Sequence, residues 1–332
     1  MFTIRANINK IVMKEVLAKY SSELKKLEEL LRQEVHSAIR EILEVSNYIL
    51  SAGGKRIRPL LLMILSKREG KVPDEAILAG CAIEYIHTAT LLHDDVVDDS
   101  KMRRGKPTAN TIWNNQLCVL VGDFLFAKSF SIMTNFLSQD ALKVVSRACI
   151  SLAEGEILQL IRSYDVDTTI EDYYRIIYGK TAALFEASCQ VGAMVSNKSD
   201  PEKFGDFGRE IGLAFQIKDD LLDLIGNPDK TGKPIGNDLK EGKITLPLLL
   251  LKEKNPEYKK LIRRLILEDD IEETRIKDIV ELCKKEGTIE ETTGIVKEHL
   301  RKALGILTGL EIDEESKRDI INIVEFLAER DY

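Results

Sequence analysis

ATLLHDDVVDDSKMRRGKP, residues 89 to 107, ends an apolar run with four aspartates, Asp94, Asp95, Asp98 and Asp99, and places two arginines just beyond them. The run begins upstream at Pro73, and acids fill its first turn: PDEAILAGCAIEYIHTATLLHDDVVDD. Apolar residues recur there at three- and four-residue steps, so the stretch reads as one long helix. Between 77 and 92 it is apolar nearly all round, which suits a helix at the centre of a bundle. On such a helix Asp94 and Asp98 share a face, while Asp95 is turned about 100° away. The C-terminal end of a helix is already negative, so each acid there costs roughly 0.3–1 kcal/mol, and mutual repulsion adds to the cost. A bound cation reverses both terms. Hard oxygen ligands without cysteine or clustered histidine suit magnesium, which keeps several waters and bridges to phosphates. A single acidic cluster of this kind is more often solvated surface than a metal site.

The remainder of the 332 residues is also helical in pattern. LAKYSSELKKLEELLRQEVHSAIREILEVSNYILSAG stops at Gly53-Gly54, and five further segments out to residue 226 are each bounded by Asp, Ser, Asn, Gly or Pro. Neither strand alternation of useful length nor a Pro/Ser-rich linker interrupts them. One all-α domain spanning 1–332 is the economical reading. Apolar residues at 44% supply a core, and a net charge of -7 argues against a general nucleic-acid partner. The N-terminal segment lacks the apolar core of a signal peptide, and no window is expected to span a membrane. Five scattered cysteines without a CxxC read as buried thiols in a reducing cytoplasm.

FQIKDDLLDLIGNPDKTGKP repeats the DDxxD spacing with Asp219, Asp220 and Asp223, again at the end of an apolar helix, with Gly226 and Pro228 following. Two such ends invite facing carboxylates around shared metal ions, a clamp for a polyanion such as a diphosphate. Cations for that anion flank both clusters: Lys55, Arg56 and Arg58 in GGKRIRP, Arg103 and Arg104 in KMRRGKP, Lys180 with Thr181 in YGKT, and Lys233, Lys240 and Lys243 in TGKPIGNDLKEGK. The glycine pair is no P-loop, because GxxxxGK[ST] is absent.

GGKRIRP, IHTATLLHDDVVDDSKMRRGKPTAN, VGDFLFAKSF, AEGEILQL, YGKTAALFEAS, FQIKDDLLD and GNDLKEGKITLPL together resemble, in the same order, the trans-polyprenyl diphosphate synthases, most closely long-chain members such as octaprenyl diphosphate synthase. The resemblance covers roughly residues 45 to 250. It implies the isoprenoid synthase fold, an all-α bundle around a deep central cavity, usually as a homodimer. It implies magnesium, three ions per active site, with Asp94, Asp98, Asp219 and Asp223 as ligands. Lys55, Arg58, His87 and Arg104 match the isopentenyl diphosphate site. Arg103, Lys180, Thr181, Gln216, Lys233 and Lys243 match contacts to the allylic diphosphate. Asp94, Asp98, Asp219, Lys180 and Lys233 would then carry the catalysis. Short-chain relatives place an aromatic floor at or next to Ala89, which lies about 7.5 Å below Asp94 on the helix axis and is expected on broadly the same side as the metal ligands; here Ala89 and Thr90 are both small. A long product, and a use in quinone side chains, are the corresponding expectations, with Tyr85, Phe126 and Phe130 as candidates for a deeper stop. Asp99 and Asp123 receive no role at this level.

Other classes fit less well. A terpene cyclase needs no isopentenyl site, and a metal phosphohydrolase wants more histidines than His36, His87, His93 and His299. A non-catalytic partner subunit is expected to have degenerate acid clusters, whereas both here are intact. A shorter-chain synthase differs only in the depth of its tunnel.

Overall fold

A computed structural model describes the backbone of residues 2–226, 235–268 and 271–328, and side chains from residue 11 onward. Helices α1 (Phe2–Lys19), α2 (Ser21–Gln33), α3 (Arg40–Ser51) and α4 (Ile57–Leu65) lead into the long α5 (Asp74–Val97). After α6 (Ala109–Ile112) come α7 (Asn115–Phe136), α8 (Gln139–Arg162) and α9 (Ile170–Ile177). A π-helical turn, Tyr178–Ala182, joins α9 to α10 (Ala183–Val195), and α11 (Pro201–Ile225) follows. Short α12 (Asn237–Lys240) precedes α13 (Leu246–Lys254), α14 (Pro256–Ile266), α15 (Glu273–Lys285), α16 (Thr288–Thr308) and α17 (Glu314–Ala328). The all-α expectation holds. The strands among the described residues form one hairpin, Met102–Arg103 against Lys106–Pro107. Its two-residue turn needs positive φ at both positions, which Arg104 (51°) and Gly105 (74°) supply.

Local chemistry accounts for the helix boundaries that matter to function. Asp200 caps α11 by accepting the Lys203 N–H, and Pro201 opens its first turn. Thr169 and Asp172 form a reciprocal capping box that fixes the start of α9. The core divides into two hydrophobic clusters. One gathers α11 with the C-terminal helices, the other gathers α2, α3, α5, α7 and α8, and residues of α4 and α10 contribute to both.

The expectation that no stretch has the length and apolarity of a membrane span does not hold. By length and composition alone, α5 and α7 both qualify. They pack directly against each other as core helices. The most apolar window of α5 is 72% buried inside the protein, against 39% for that of α7. The difference reflects an outer face on α7 that carries Val119, Leu120 and Phe136 into solvent.

Candidate active site

Helical periodicity on α5 separates the four aspartates by task. Asp94 and Asp98 lie on the half-exposed stripe with His87, Thr90 and Leu91. Asp95 is buried and clamps Arg103, whose Nε lies 2.9 and 3.1 Å from its two carboxylate oxygens. Arg103, expected at the allylic diphosphate, therefore already has a carboxylate partner. Asp99 has φ +47° and ion-pairs with Lys101 at 2.6 Å, so it belongs to the turn that ends the helix. On α11 the division repeats: Asp219 is exposed, Asp223 is half-buried, and Asp220 is turned inward. Asp223 accepts the Asp238 N–H at 3.0 Å, which ties the start of α12 to the second cluster.

The segment tied to the second cluster reaches the first. Lys243, just past α12, reaches Asp98 at 3.5 Å and pairs with Glu241 at 2.5 Å. Burial opposes its charge, yet Asp98 and Glu241 hold its pKa well above the ordinary lysine value. Lys180, in the π turn, pairs with Glu156 of α8 at 2.9 Å. That pairing depends on close helix crossing: a Cβ on Gly155 would lie 2.8 Å from the Lys180 nitrogen, and one on Gly179 would lie 2.5 Å from the Ser151 carbonyl. A cavity of about 110 Å³ opens between these groups, lined by Gln159, Lys180, Gln216, Asp220, Asp238 and Lys243 among others. Lys233 lies outside the described residues, as does Pro228.

Electrostatics marks the place as short of cations. Desolvation, then Glu156 and Asp98, push the Asp94 carboxyl up to about 7 against the pull of Lys180. Burial and Asp238 push Asp220 up to about 7, and burial and Asp223 push Asp238 up to about 8. A divalent cation held by Asp94 and Asp98 would relieve the strain at Asp94, and hard carboxylate oxygens suit magnesium. Among the described residues, no three carboxylates or imidazoles converge closely enough to enclose an ion alone. Water and a diphosphate would complete the coordination of an ion held by Asp94 and Asp98, or by Asp219 and Asp223.

Beside this region lies a cluster of opposite sign. Arg58 stacks its guanidinium 4.5 Å from the Phe185 ring centroid, and its buried Nε has no hydrogen-bond partner. Burial lowers its pKa to about 10, so it stays charged at neutral pH. Arg104, held in its left-handed turn, brings its guanidinium into the space that a side chain on Gly54 would take, 3.3 Å from that Cβ position. Lys55 lies 4.7 Å over the Phe326 ring. Burial, Arg58 and Arg104 together drive the His87 pKa well down, so its imidazole is neutral. Several cations with an unspent donor suit a second anion. Arg56 stands apart from this cluster: Glu28 and Glu84 hold its guanidinium inside the protein.

Two residues of the site were missed from sequence. Glu156 stood in the quoted AEGEILQL and Asp238 in GNDLKEGK, but neither spacing alone says what such an acid faces. VGDFLF has a structural answer. Gly122 leaves room for the His93 ring, which approaches the Val119 carbonyl at 3.0 Å and Asp123 at 3.6 Å and stacks on Phe126. A Cβ at 122 would lie 2.2 Å from His93 Nε2. Gly122→Ala is therefore expected to cost about 1–3 kcal/mol by overpacking. It also shifts the residue before Asp94, which lowers kcat roughly ten- to hundredfold. Adding His93→Ala should restore the melting temperature of the variant. Wild-type turnover and melting in Gly122→Ala would refute the account.

Tyr85 does not face the site: its hydroxyl donates to the Leu31 carbonyl of α2 at 2.8 Å. Ala89 is 0% exposed. Five helical residues turn through about 500°, which leaves it about 140° from Asp94 rather than on the same side. Thr90, one turn below Asp94 on the half-exposed stripe, is the small residue on the metal-cluster face. Phe126 is engaged with His93, which leaves Phe130, one turn further along α7, as the deeper of the two phenylalanines.

The family model for polyprenyl synthetase matches residues 39–283. The chain belongs to the polyprenyl synthetase family. It is 40% identical over 302 residues to the octaprenyl diphosphate synthase of Escherichia coli (strain K12), covering 90% of this chain and 93% of that one. It is 35% identical over 325 residues to a short chain isoprenyl diphosphate synthase of Methanothermobacter thermautotrophicus, covering 96% and 98%. The polyprenyl synthase from Caulobacter crescentus CB15, solved with calcium and isoprenyl diphosphate, superposes with a TM-score of 0.90 at 35% identity, covering 96% of this chain and 98% of that one. The protein is thus a prenyltransferase, and the likeness reaches well beyond residues 45 to 250.

Proposed function

We propose that this polyprenyl synthetase is a trans-polyprenyl diphosphate synthase that adds successive isopentenyl diphosphates to an allylic diphosphate, ending at about eight isoprene units, within a range of roughly six to ten. The observation that carries this reading is the contact of Lys243 with Asp98, which brings the segment tied to Asp223 against the first acidic motif, beside a separate cationic cradle. One region fits a metal-bridged leaving diphosphate; the other fits a diphosphate that only has to be held. The range of lengths rests on family likeness; the small Thr90 on the metal-cluster face, one turn below Asp94, leaves the way along the helix open.

Magnesium bound by the aspartates supplies the charge that stabilises the departing diphosphate. Lys180 and Lys243 add fixed positive charge on the same side. The allylic carbon–oxygen bond breaks, and its electron pair leaves with the diphosphate. The double bond of isopentenyl diphosphate, anchored by Lys55, Arg58, Arg104 and neutral His87, forms the new carbon–carbon bond. The proton lost from that unit passes to the released diphosphate. Buried apolar walls around α5 keep water from the cation.

A homodimer is part of the same reading. The apolar stripe of α7 and α8 includes Leu120 at 63%, Leu160 at 65% and Ile161 at 66% exposure, a face suited to a second copy. The cysteines are free thiols, mostly buried, which supports a cytoplasmic setting.

The test is metal-dependent incorporation of labelled isopentenyl diphosphate, with products dephosphorylated and separated by length. A ladder ending at about eight units is expected from the tunnel reading. A ladder ending at three or four units would make it a short-chain enzyme, and no incorporation would overturn the proposal.

A further inference from the structure

We propose that Tyr173 is a positioning residue for the allylic diphosphate, acting through Asp220 on Gln216; this rests on the reading above that the Lys180 and Gln216 side of the site takes that substrate. Tyr173 is 4% exposed on α9, and its hydroxyl donates to Asp220 Oδ2 at 2.7 Å. The other carboxylate oxygen, Oδ1, accepts an N–H from Gln216 Nε2 at 2.7 Å. Gln216 Oε1 in turn accepts the Thr181 hydroxyl at 2.6 Å.

Ionised Asp220 only accepts, and the phenol and the amide nitrogen set against its two oxygens are then both donors. With its nitrogen committed to Asp220, the Gln216 amide has only its oxygen left for Thr181. The orientation of the amide is therefore set by a buried phenol that lies three hydrogen bonds from Thr181 and borders the same cavity. An amide nitrogen carries two hydrogens, and Asp220 takes one. The second remains for the cavity that Gln216 lines together with Lys180 and Lys243. An N–H aimed there suits an anionic phosphate oxygen; a flipped amide would instead turn a lone pair toward it.

Two features hold the phenol in place. The capping box fixes the first turn of α9, and Arg162 reaches Asp172 of that box at 3.2 Å. The arrangement also accounts for the second acid of each DDxxD. Asp95 orients Arg103 and Asp220 orients Gln216, so each motif pairs outward acids with one inward acid that aligns a donor.

Tyr173→Phe keeps the ring and removes the donor. Losing one hydrogen bond to a charged group should raise KM for the allylic diphosphate about tenfold, leaving KM for isopentenyl diphosphate unchanged and kcat within about twofold. Because both changes act on one group, Gln216→Ala should add little in the Tyr173→Phe background, a clear departure from additivity. A purely packing role for Tyr173 would lower the melting temperature with no selective change in KM, and that result overturns the proposal. So do equal changes in both KM values, or additive effects with Gln216→Ala. Should the Phe variant fail to fold, Asp220→Asn, which keeps the size but removes the fixed direction, must give the same selective rise; its absence counts against the proposal equally. Failure of the wild-type enzyme to incorporate isopentenyl diphosphate would refute the proposed function instead, and the two failures are distinguishable.

Discussion

Asp94→Ala and Asp219→Ala are each expected to cut turnover roughly a thousandfold or more while the fold persists, because charge stabilisation of the leaving group is the largest electrostatic demand in the reaction. The two positions differ in what they do to the empty protein. The Asp94 carboxyl is pushed up to about 7 from an ordinary value of 3.8. Between those two pH values the folded protein holds a proton that the unfolded chain has released. Stability from this group is therefore present at low pH and is lost as pH rises through about 7. Asp94→Ala removes the loss. Without metal at pH 8, the variant should melt above the wild type; at pH 4 the gap should close. Added magnesium should raise the wild-type melting temperature more than that of the variant. Thermal melts at the two pH values, with and without magnesium, check this alongside steady-state turnover. Near-wild-type turnover of either variant at saturating magnesium would dismiss the two-cluster mechanism, and a variant that melts below the wild type at pH 8 would dismiss the strain at Asp94.

Product length gives the second large effect. Thr90 lies on the stripe of α5 that carries Asp94 and Asp98, and its hydroxyl turns back to the His87 carbonyl at 2.8 Å. Thr90→Phe places a ring across the tail's path one turn below the metal cluster, so products should shorten to about three or four units, with diphosphate binding intact because the helix rise puts the ligands about 6 Å away. Ala89→Phe should behave differently in one respect. Position 89 is fully enclosed, so a ring there must displace its neighbours. It should shorten the product only by forcing packed side chains into the tail's path, and should cost about 1–3 kcal/mol in stability. Chromatography of dephosphorylated products and a melt of each variant separate the two. Full-length product from Thr90→Phe would mean that the tail leaves along another face of α5.

Much of this was legible in the sequence, for a physical reason. A repeated DDxxD at two helix ends is costly without a cation, and helical periodicity states which acids share a face. The inward turn of Asp95 follows from about 100° per residue, although its grip on Arg103 does not. What the sequence left closed depends on which helix packs where. Arg56 looks like one more cation in GGKRIRP until Glu28 and Glu84 arrive from two other helices. Glu156 becomes a site residue only because Gly155 and Gly179 let α8 approach the π turn. The π turn itself has no periodic signature, since YGKTA continues the helical pattern on either side. Ala89 was misplaced by counting rise along the axis and neglecting rotation about it.

The division of the interior into two hydrophobic clusters has a thermodynamic consequence. The Asp94 end of the site grows from one cluster, and the Asp219 end grows from the other. Between them Lys243, on the segment that Asp223 ties down, reaches Asp98. Metal and diphosphate held as proposed would contact both ends, so their binding energy would also be cohesion between the two halves. Linkage sets its size: a ligand at a hundred times its Kd adds about 2.7 kcal/mol to the folded state. On that reading the joint between the halves would tighten as substrate is taken up, so substrate would act on the mechanical integrity of the molecule as well as on its rate.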